Sequence, residues 1–260
     1  MKLHYEKRGT GPQTLLLGHG FPFDHTMWEA QLAGLSDEFT VVAPDFRGMG
    51  KSPASGASVT TMAVLADDLA ELLDALGIAK CTYCGLSMGG YVGLEFRKRH
   101  ADRLERFILC DSNVRCDSPE GAAKRLAAAA KIEAEGSCAF MVDGMKKNLM
   151  TDETLRDEAN PNGVFAVYRR MVSENQPSGV ASVARGMAQR HDFTSELAEI
   201  RIPVLVLTGE LDVLSPPDAM AAMAAAIPDA EFAVISGAAH LAPMERAQDV
   251  NEKIRQFLKK

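Results

Sequence analysis

Apolar residues along the chain gather into short runs closed off by Gly, Pro or Asp, at Thr14–Gly18, Thr40–Pro44, Lys80–Cys84, Arg106–Cys110, Pro203–Thr208 and Glu231–Ile235. Most of these runs are continuously apolar rather than alternating, the pattern of parallel strands covered on both faces. Between them, apolar positions recur with helical spacing over His25–Leu35, Val59–Leu76, Met88–His100, Pro217–Ala226 and Glu245–Leu258, and several of these stretches end at Gly or are followed by Pro. Alternating strands and helices predict an α/β fold built on a mainly parallel sheet. The opening segment Lys2–Arg8, with its Gly9-Thr10-Gly11-Pro12 turn, reads as an antiparallel edge strand or hairpin ahead of the parallel series.

One region breaks the alternation. Residues 112–194 contain no convincing strand, only Ala-, Lys-, Glu- and Met-rich helical stretches such as Pro119–Glu135, Cys138–Met150 and Gly179–Arg190, separated by Gly136, Asn160-Pro161-Asn162-Gly163 and Pro177. A crossover between parallel strands needs far fewer residues. The pattern therefore predicts a helical cap over 112–194 inserted into a core formed by 1–111 and 195–260.

Composition narrows the function classes. With 260 residues, 47% of them hydrophobic, the chain can bury a large core within one α/β domain. The 28 Lys+Arg are interspersed with 35 Asp+Glu for a net charge of −7, which argues against nucleic acid or an anionic membrane as partner. A small molecule is the expected partner, with the protein a monomer or homodimer. No apolar stretch approaches the roughly eighteen residues of a membrane span, and Met1–Gly9 lacks the apolar core of a signal peptide, so a cytoplasmic location is expected. The five cysteines, at 81, 84, 110, 116 and 138, are an odd set expected to stay reduced. Cys81 and Cys84 lie three apart within a strand and so point to opposite faces, which suits neither a disulfide nor a shared metal.

Candidate chemistry centres on Gly85-Leu86-Ser87-Met88-Gly89, a G-x-S-x-G string between a strand run and a helical stretch. A tight strand-to-helix turn throws a serine hydroxyl clear of the sheet and crowds the backbone, so that Gly85 and Gly89 are demanded on either side. Ser87 is thus the candidate nucleophile, and the Met88 N–H at the helix start is a candidate oxyanion donor. A serine needs a base, and the base needs a carboxylate to orient it. His240, in the loop after the last strand, is the candidate base. Asp212, in the loop after the penultimate strand, is the candidate acid. Asp111 and Glu210 are rivals for the acid. Among the other histidines, His100 reads as a helix C-terminal cap, His4 lies on the edge segment, and His25 and His191 sit in loops without an evident partner. A second oxyanion donor is expected from the Phe21 N–H, where Gly20 permits a sharp turn after the first parallel strand; His19 reads as a structural residue bonding loop backbone. Phe23 and Trp28 read as core rather than pocket.

Taken together, His19-Gly20-Phe21-Pro22, the segment from Pro44 to Ser52, Gly85–Gly90, Gly209–Asp212 and Ala239-His240 give a chain that resembles the α/β-hydrolase family over its full length. Within that family it looks most like small carboxylesterases and 3-oxoadipate enol-lactonase-like serine hydrolases. Met49 departs from the histidine or bulky aromatic the family usually carries in that turn. The resemblance implies a mostly parallel eight-stranded sheet flanked by helices, a Ser87–His240–Asp212 triad acting on a small ester or lactone through an acyl-enzyme, and no metal or organic cofactor. A serine at position 87 disfavours the dehalogenase and epoxide-hydrolase branches, which use an aspartate nucleophile. Carbon–carbon bond hydrolysis and perhydrolysis share the same residues, and a small-molecule receptor built on the same pocket is the reading from outside enzymology.

Overall fold

The computed structural model describes all residues from Met1 to Lys260. Seven strands form one sheet: β1 (Tyr5–Arg8), β2 (Thr14–Gly18), β3 (Thr40–Pro44), β4 (Cys81–Leu86), β5 (Leu104–Cys110), β6 (Val204–Gly209) and β7 (Ala230–Ile235). Their spatial order is β1-β3-β2-β4-β5-β6-β7, with only β1 antiparallel to its neighbour. The sheet is therefore one strand short of the expected eight. The residues ahead of β1 add no strand because they run on beside the end of β3: the His4 carbonyl accepts from the Asp45 N–H at 2.9 Å and its own N–H donates to Ser52 Oγ at 2.8 Å. Nor do β1 and β2 form a hairpin, since β1 pairs with β3.

The interior strands β3, β4 and β6 are buried at every position, as their continuous apolar sequences require. The edge strand β7 instead leaves Phe232 and Val234 exposed. Helices fill the connections: α1 (Glu29–Leu35), α2 (Met62–Ala75), α3 (Met88–Arg99), α9 (Pro217–Ala225), α10 (Ala242–Glu245) and α11 (Ala247–Leu258). Of these, α1 packs on α11 and α2 on α3. The stretch predicted as one helix over Glu245–Leu258 is two, broken at Arg246 with φ −132° and ψ 53°. His25–Trp28 is a 3₁₀ turn capped by the Asp24 side chain that leads into α1. No helix is long and apolar enough to cross a membrane.

Between β5 and β6 lie five helices: α4 (Pro119–Glu135), α5 (Phe140–Leu149), α6 (Asp152–Arg156), α7 (Val164–Ser173) and α8 (Pro177–Met187). The ends of α4 are locally encoded, with Ser118 capping the Gly121 N–H and Gly136 in the left-handed region at φ 60°. The block docks on the core where side chains are missing. A Cβ on Gly179 of α8 would lie 1.9 Å from the Gly48 carbonyl oxygen, and one on Gly186 1.8 Å from that of Thr60. Asn175 and Gln176, just before α8, fix this approach by bonding the loops after β2 and β3: Asn175 Nδ2 to the Pro22 carbonyl at 2.9 Å, Asn175 Oδ1 from the Gly50 N–H at 2.8 Å, and Gln176 Nε2 to the Ser52 carbonyl at 2.9 Å.

The strand order reverses direction at β2, which has β3 on one side and β4 on the other. Open α/β sheets carry their sites in the crevice at such a point, beyond the carboxyl ends of the strands. Here that crevice is flanked by the loop after β2 and the turn after β4.

Because α8 meets the Gly48 turn backbone to backbone, Gly179→Ala is expected to destabilise the fold by about 1–3 kcal/mol, as overpacking does. Gly144→Ala in α5, where a Cβ meets nothing within 4 Å, should instead stabilise by about 0.5–1 kcal/mol. Thermal unfolding of both variants checks this; equal melting temperatures would contradict the docking geometry.

Candidate active site

Ser87 stands where β4 ends and α3 begins, with φ 51° and ψ −113°, a conformation unusual for any residue but glycine. The crowding that forces it is measurable. A Cβ on Gly85 would lie 2.3 Å from the Gly89 carbonyl carbon, one on Gly89 2.2 Å from the Gly18 carbonyl oxygen, and one on Gly90 2.1 Å from Ser112 Oγ. Neighbouring strands hold the turn: the Ser87 N–H donates to the Cys110 carbonyl at 3.0 Å, Ser112 Oγ donates to the Ser87 carbonyl at 2.8 Å, and Tyr83 Oη donates to the Gly89 carbonyl at 2.7 Å. The Ser87 hydroxyl itself makes no hydrogen bond to a protein group, and the residue is partly exposed.

Contact between Gly89 and the Gly18–His19 carbonyls brings the loop after β2 against this turn. That loop is braced from within. His19 is fully buried, its Nδ1 2.9 Å from the Gly20 carbonyl and its Nε2 accepting the Phe46 N–H at 2.9 Å. Burial lowers its pKa, in keeping with a neutral ring that accepts at Nε2. The Phe21 N–H and the Met88 N–H are both uncommitted to protein acceptors.

At the other end of the crevice, His240 Nδ1 lies 2.8 Å from Asp212 Oδ2, with both residues 3% exposed. Asp212 Oδ1 accepts the Leu214 N–H at 2.8 Å. Burial pushes the Asp212 carboxyl up, but the His240 hydrogen bond and charge together with backbone N–H donors outweigh it and hold the group below the ordinary aspartate range. The loop carrying His240 is seated on the end of β6, where a Cβ on Gly209 would lie 2.2 Å from the Ala239 carbonyl oxygen.

The two rival acids differ in surroundings. Glu210 is exposed and caps the turn after β7, its Oε2 accepting from Ser236 Oγ at 2.8 Å and from the Gly237 N–H at 2.9 Å. Asp111 is fully buried, has φ 42°, and lies with Asp212 and His240 in one cluster.

Three further contacts carry no local sequence signal. His25, without an evident partner in the sequence, has one: its Nδ1 and backbone N–H each lie 2.7 Å from Asp45 Oδ1, while Asp45 Oδ2 takes the Lys51 N–H at 2.9 Å. This pair clamps the turn after β3. His191 likewise meets Glu196 at 2.5 Å. Glu245 joins the helical block to the His240 loop: Oε1 accepts from the Thr151 N–H, Thr151 Oγ1 and Thr154 Oγ1 at 2.6–2.9 Å, and Oε2 accepts the Ala239 N–H at 2.7 Å. On the other side of the histidine the Leu241 N–H donates to the Leu149 carbonyl at 3.1 Å. Phe23 and Trp28 are core residues.

A cleft of about 440 Å³ opens beside the crevice, lined by Phe21, Leu214 and, from the helical block, Met141, Met145, Leu149 and Ala184. At its rim Asp117 pairs with Arg125 at 2.5 Å and Arg190 at 2.7 Å. All five cysteines are free thiols. Burial pushes the Cys81 thiol up to about 12 and raises that of Cys84 as well, so neither is a thiolate at neutral pH.

The alpha/beta hydrolase fold family model matches residues 13–247. The chain belongs to the alpha/beta hydrolase fold family. Among solved hydrolases of this fold, it superimposes on a thermophilic esterase from Thermogutta terrifontis with a TM-score of 0.94 at 44% identity, covering 99% of this chain and 93% of that one. With the enol-lactonase of Burkholderia xenovorans the TM-score is 0.90 at 32% identity, covering 99% and 96%. By sequence it is 29% identical to 3-oxoadipate enol-lactonase 1 of Acinetobacter baylyi, over 96% of this chain and 91% of the relative.

Replacing Glu245 by Ala should leave the Ala239 and Thr151 N–H groups without their acceptor and the Thr151 and Thr154 hydroxyls with only each other, lowering stability by about 1–3 kcal/mol. It should also speed amide hydrogen exchange across residues 238–241. Unchanged exchange at those amides would show that the link does not hold the loop.

Proposed function

We propose that this chain is a serine hydrolase that cleaves a small carboxylic ester or lactone through an acyl-enzyme. The observation that carries this reading is the buried Asp212–His240 pair at 2.8 Å on the same sheet edge as a serine held in a glycine-crowded turn. Its similarity to an esterase at 44% identity and to enol-lactonases at 32% and 29% supports the substrate class.

In this mechanism His240 Nε2 takes the proton of the Ser87 hydroxyl as Oγ attacks the carbonyl carbon. Asp212 accepts from Nδ1–H, which leaves Nε2 as the lone-pair nitrogen and stabilises the imidazolium formed by the transfer. The Phe21 and Met88 N–H groups take the developing oxyanion, helped by the positive end of α3. The imidazolium then protonates the departing alkoxide, and a water deprotonated by the same nitrogen releases the acid and restores Ser87. For a lactone the leaving alkoxide stays tethered, so one hydroxy-acid product results. The apolar cleft, bordered by Phe21 and Leu214, is where we place the non-reacting part of the substrate.

With p-nitrophenyl acetate as substrate, Ser87→Ala is expected to abolish turnover. Asp212→Asn, which keeps the shape but disfavours the working tautomer, should reduce kcat by on the order of 10³–10⁴-fold. Retention of most activity by the serine variant would remove the assignment. A parallel panel of saturated and enol lactones ranks the two substrate classes.

A further inference from the structure

The hydrolase reading uses one of the two buried carboxyl groups clustered with His240. Asp111 directly follows β5, is fully buried, and holds φ 42°, so a strained backbone turns it into the site. A carboxyl oxygen of Asp111, one of Asp212 and a ring nitrogen of His240 all lie within 4.8 Å of one another. The remaining surroundings of Asp111 offer no positive charge. Oδ1 accepts the Gly209 N–H at 2.7 Å and lies 3.3 Å from Thr208 Oγ1, whose proton has the Ser215 carbonyl to go to at 2.9 Å. The only donor to Oδ2 is the Cys110 thiol, at 3.2 Å. The titratable groups facing it are Cys84 from β4, Cys110 from β5, Asp212 from the loop after β6 and His240 from the loop after β7, and neither aspartate pairs with a lysine or arginine.

Two buried carboxylates this close, with one imidazole and no cation beside them, do not both ionise. Asp212 has the ring N–H and backbone donors, so it keeps the charge. We infer, resting on the hydrolase reading above, that Asp111 is a positioning residue that works as a neutral carboxylic acid, donating its proton in a hydrogen bond to Asp212 so that one negative charge stands behind His240. Burial and the neighbouring charge of Asp212 hold the Asp111 carboxyl well above the ordinary aspartate range, in agreement with this geometry. The arrangement matters for the base: a second negative charge would retain the proton on His240 and withdraw it from service at neutral pH, while loss of the donor would leave Asp212 more basic and do the same to a smaller degree.

The test compares pH profiles of kcat/KM on p-nitrophenyl acetate for the parent, Asp111→Asn and Asp111→Ala. The asparagine amide can donate to Asp212 and accept from Gly209, so its acid limb should coincide with the parent's. In the alanine variant the limb should move up by roughly 0.5–1 pH unit, a part of the about 1–2 units that losing one hydrogen bond to a charged group shifts Asp212 itself. An acid limb that moves down in Asp111→Asn would mean a real charge was removed and would overturn the proposal. So would an alanine variant whose activity falls at every pH with its limb unmoved. Should the alanine variant not fold, the infrared difference spectrum of parent and Asp111→Asn at neutral pH decides independently of turnover. A protonated-carboxyl band present only in the parent is the expected result, and its absence overturns the assignment. That band also separates this proposal from the hydrolase reading, which fails on the Ser87 variant alone.

Discussion

The site depends on a backbone that passes too close to itself for side chains. Where β2 and β4 end, the carbonyl of Gly18 lies against Gly89, and Gly85 lies against the Gly89–Gly90 peptide. Any Cβ in these contacts would push α3 away from the sheet. With none there, α3 starts one residue after the strand, Ser87 is forced to positive φ, and the Met88 N–H is left at the open end of a helix. The same contact seats the loop after β2 beside the serine. One steric condition therefore sets the position of the hydroxyl and brings both candidate oxyanion donors to one crevice, before any hydrogen bond between side chains is considered.

A second layer of order comes from residues far apart in sequence. Asn175, between α7 and α8 of the helical block, bonds the Pro22 carbonyl next to Phe21, and Glu245 and the Leu149 carbonyl hold the amides on either side of His240. The helices between β5 and β6 thus belong to the frame of the site and do not merely lie over it. Inside that frame the electrostatics are spare: one imidazole, two carboxyl groups and no lysine or arginine on either of them. In a dry setting the balance among so few groups governs which of them carries a proton.

Much of this was legible in the chain. The runs Thr14–Gly18 and Thr40–Pro44 mark their strands to the residue, because uninterrupted apolar sequence with hard boundaries has few other meanings. Pro119–Glu135 was equally plain, closed by Gly136. The glycine spacing around Ser87 was legible for the steric reason given above. What escaped was whatever depends on remote partners. The short β1 lacks a further strand beside it because His4 spends its backbone on Asp45 and Ser52. One local signal was passed over as well: Phe165, Tyr168, Met171 and Val172 recur at helical spacing and form the buried face of α7. His25 and Asp45 stand twenty residues apart, and Glu245 and Thr151 ninety-four. No local rule joins such pairs.

The double attachment of the His240 loop also separates two sides of the helical block. Leu149 and the Thr151–Thr154 turn are bound to the loop by its own amides and by Glu245, so substitutions there disturb the seat of His240 as well as the cleft. The cleft walls at Met141, Met145 and Ala184 make none of the hydrogen bonds that hold the loop. Replacing Met141, Met145 or Ala184 would thus reshape the cleft and leave the hydrogen bonds of the His240 loop in place.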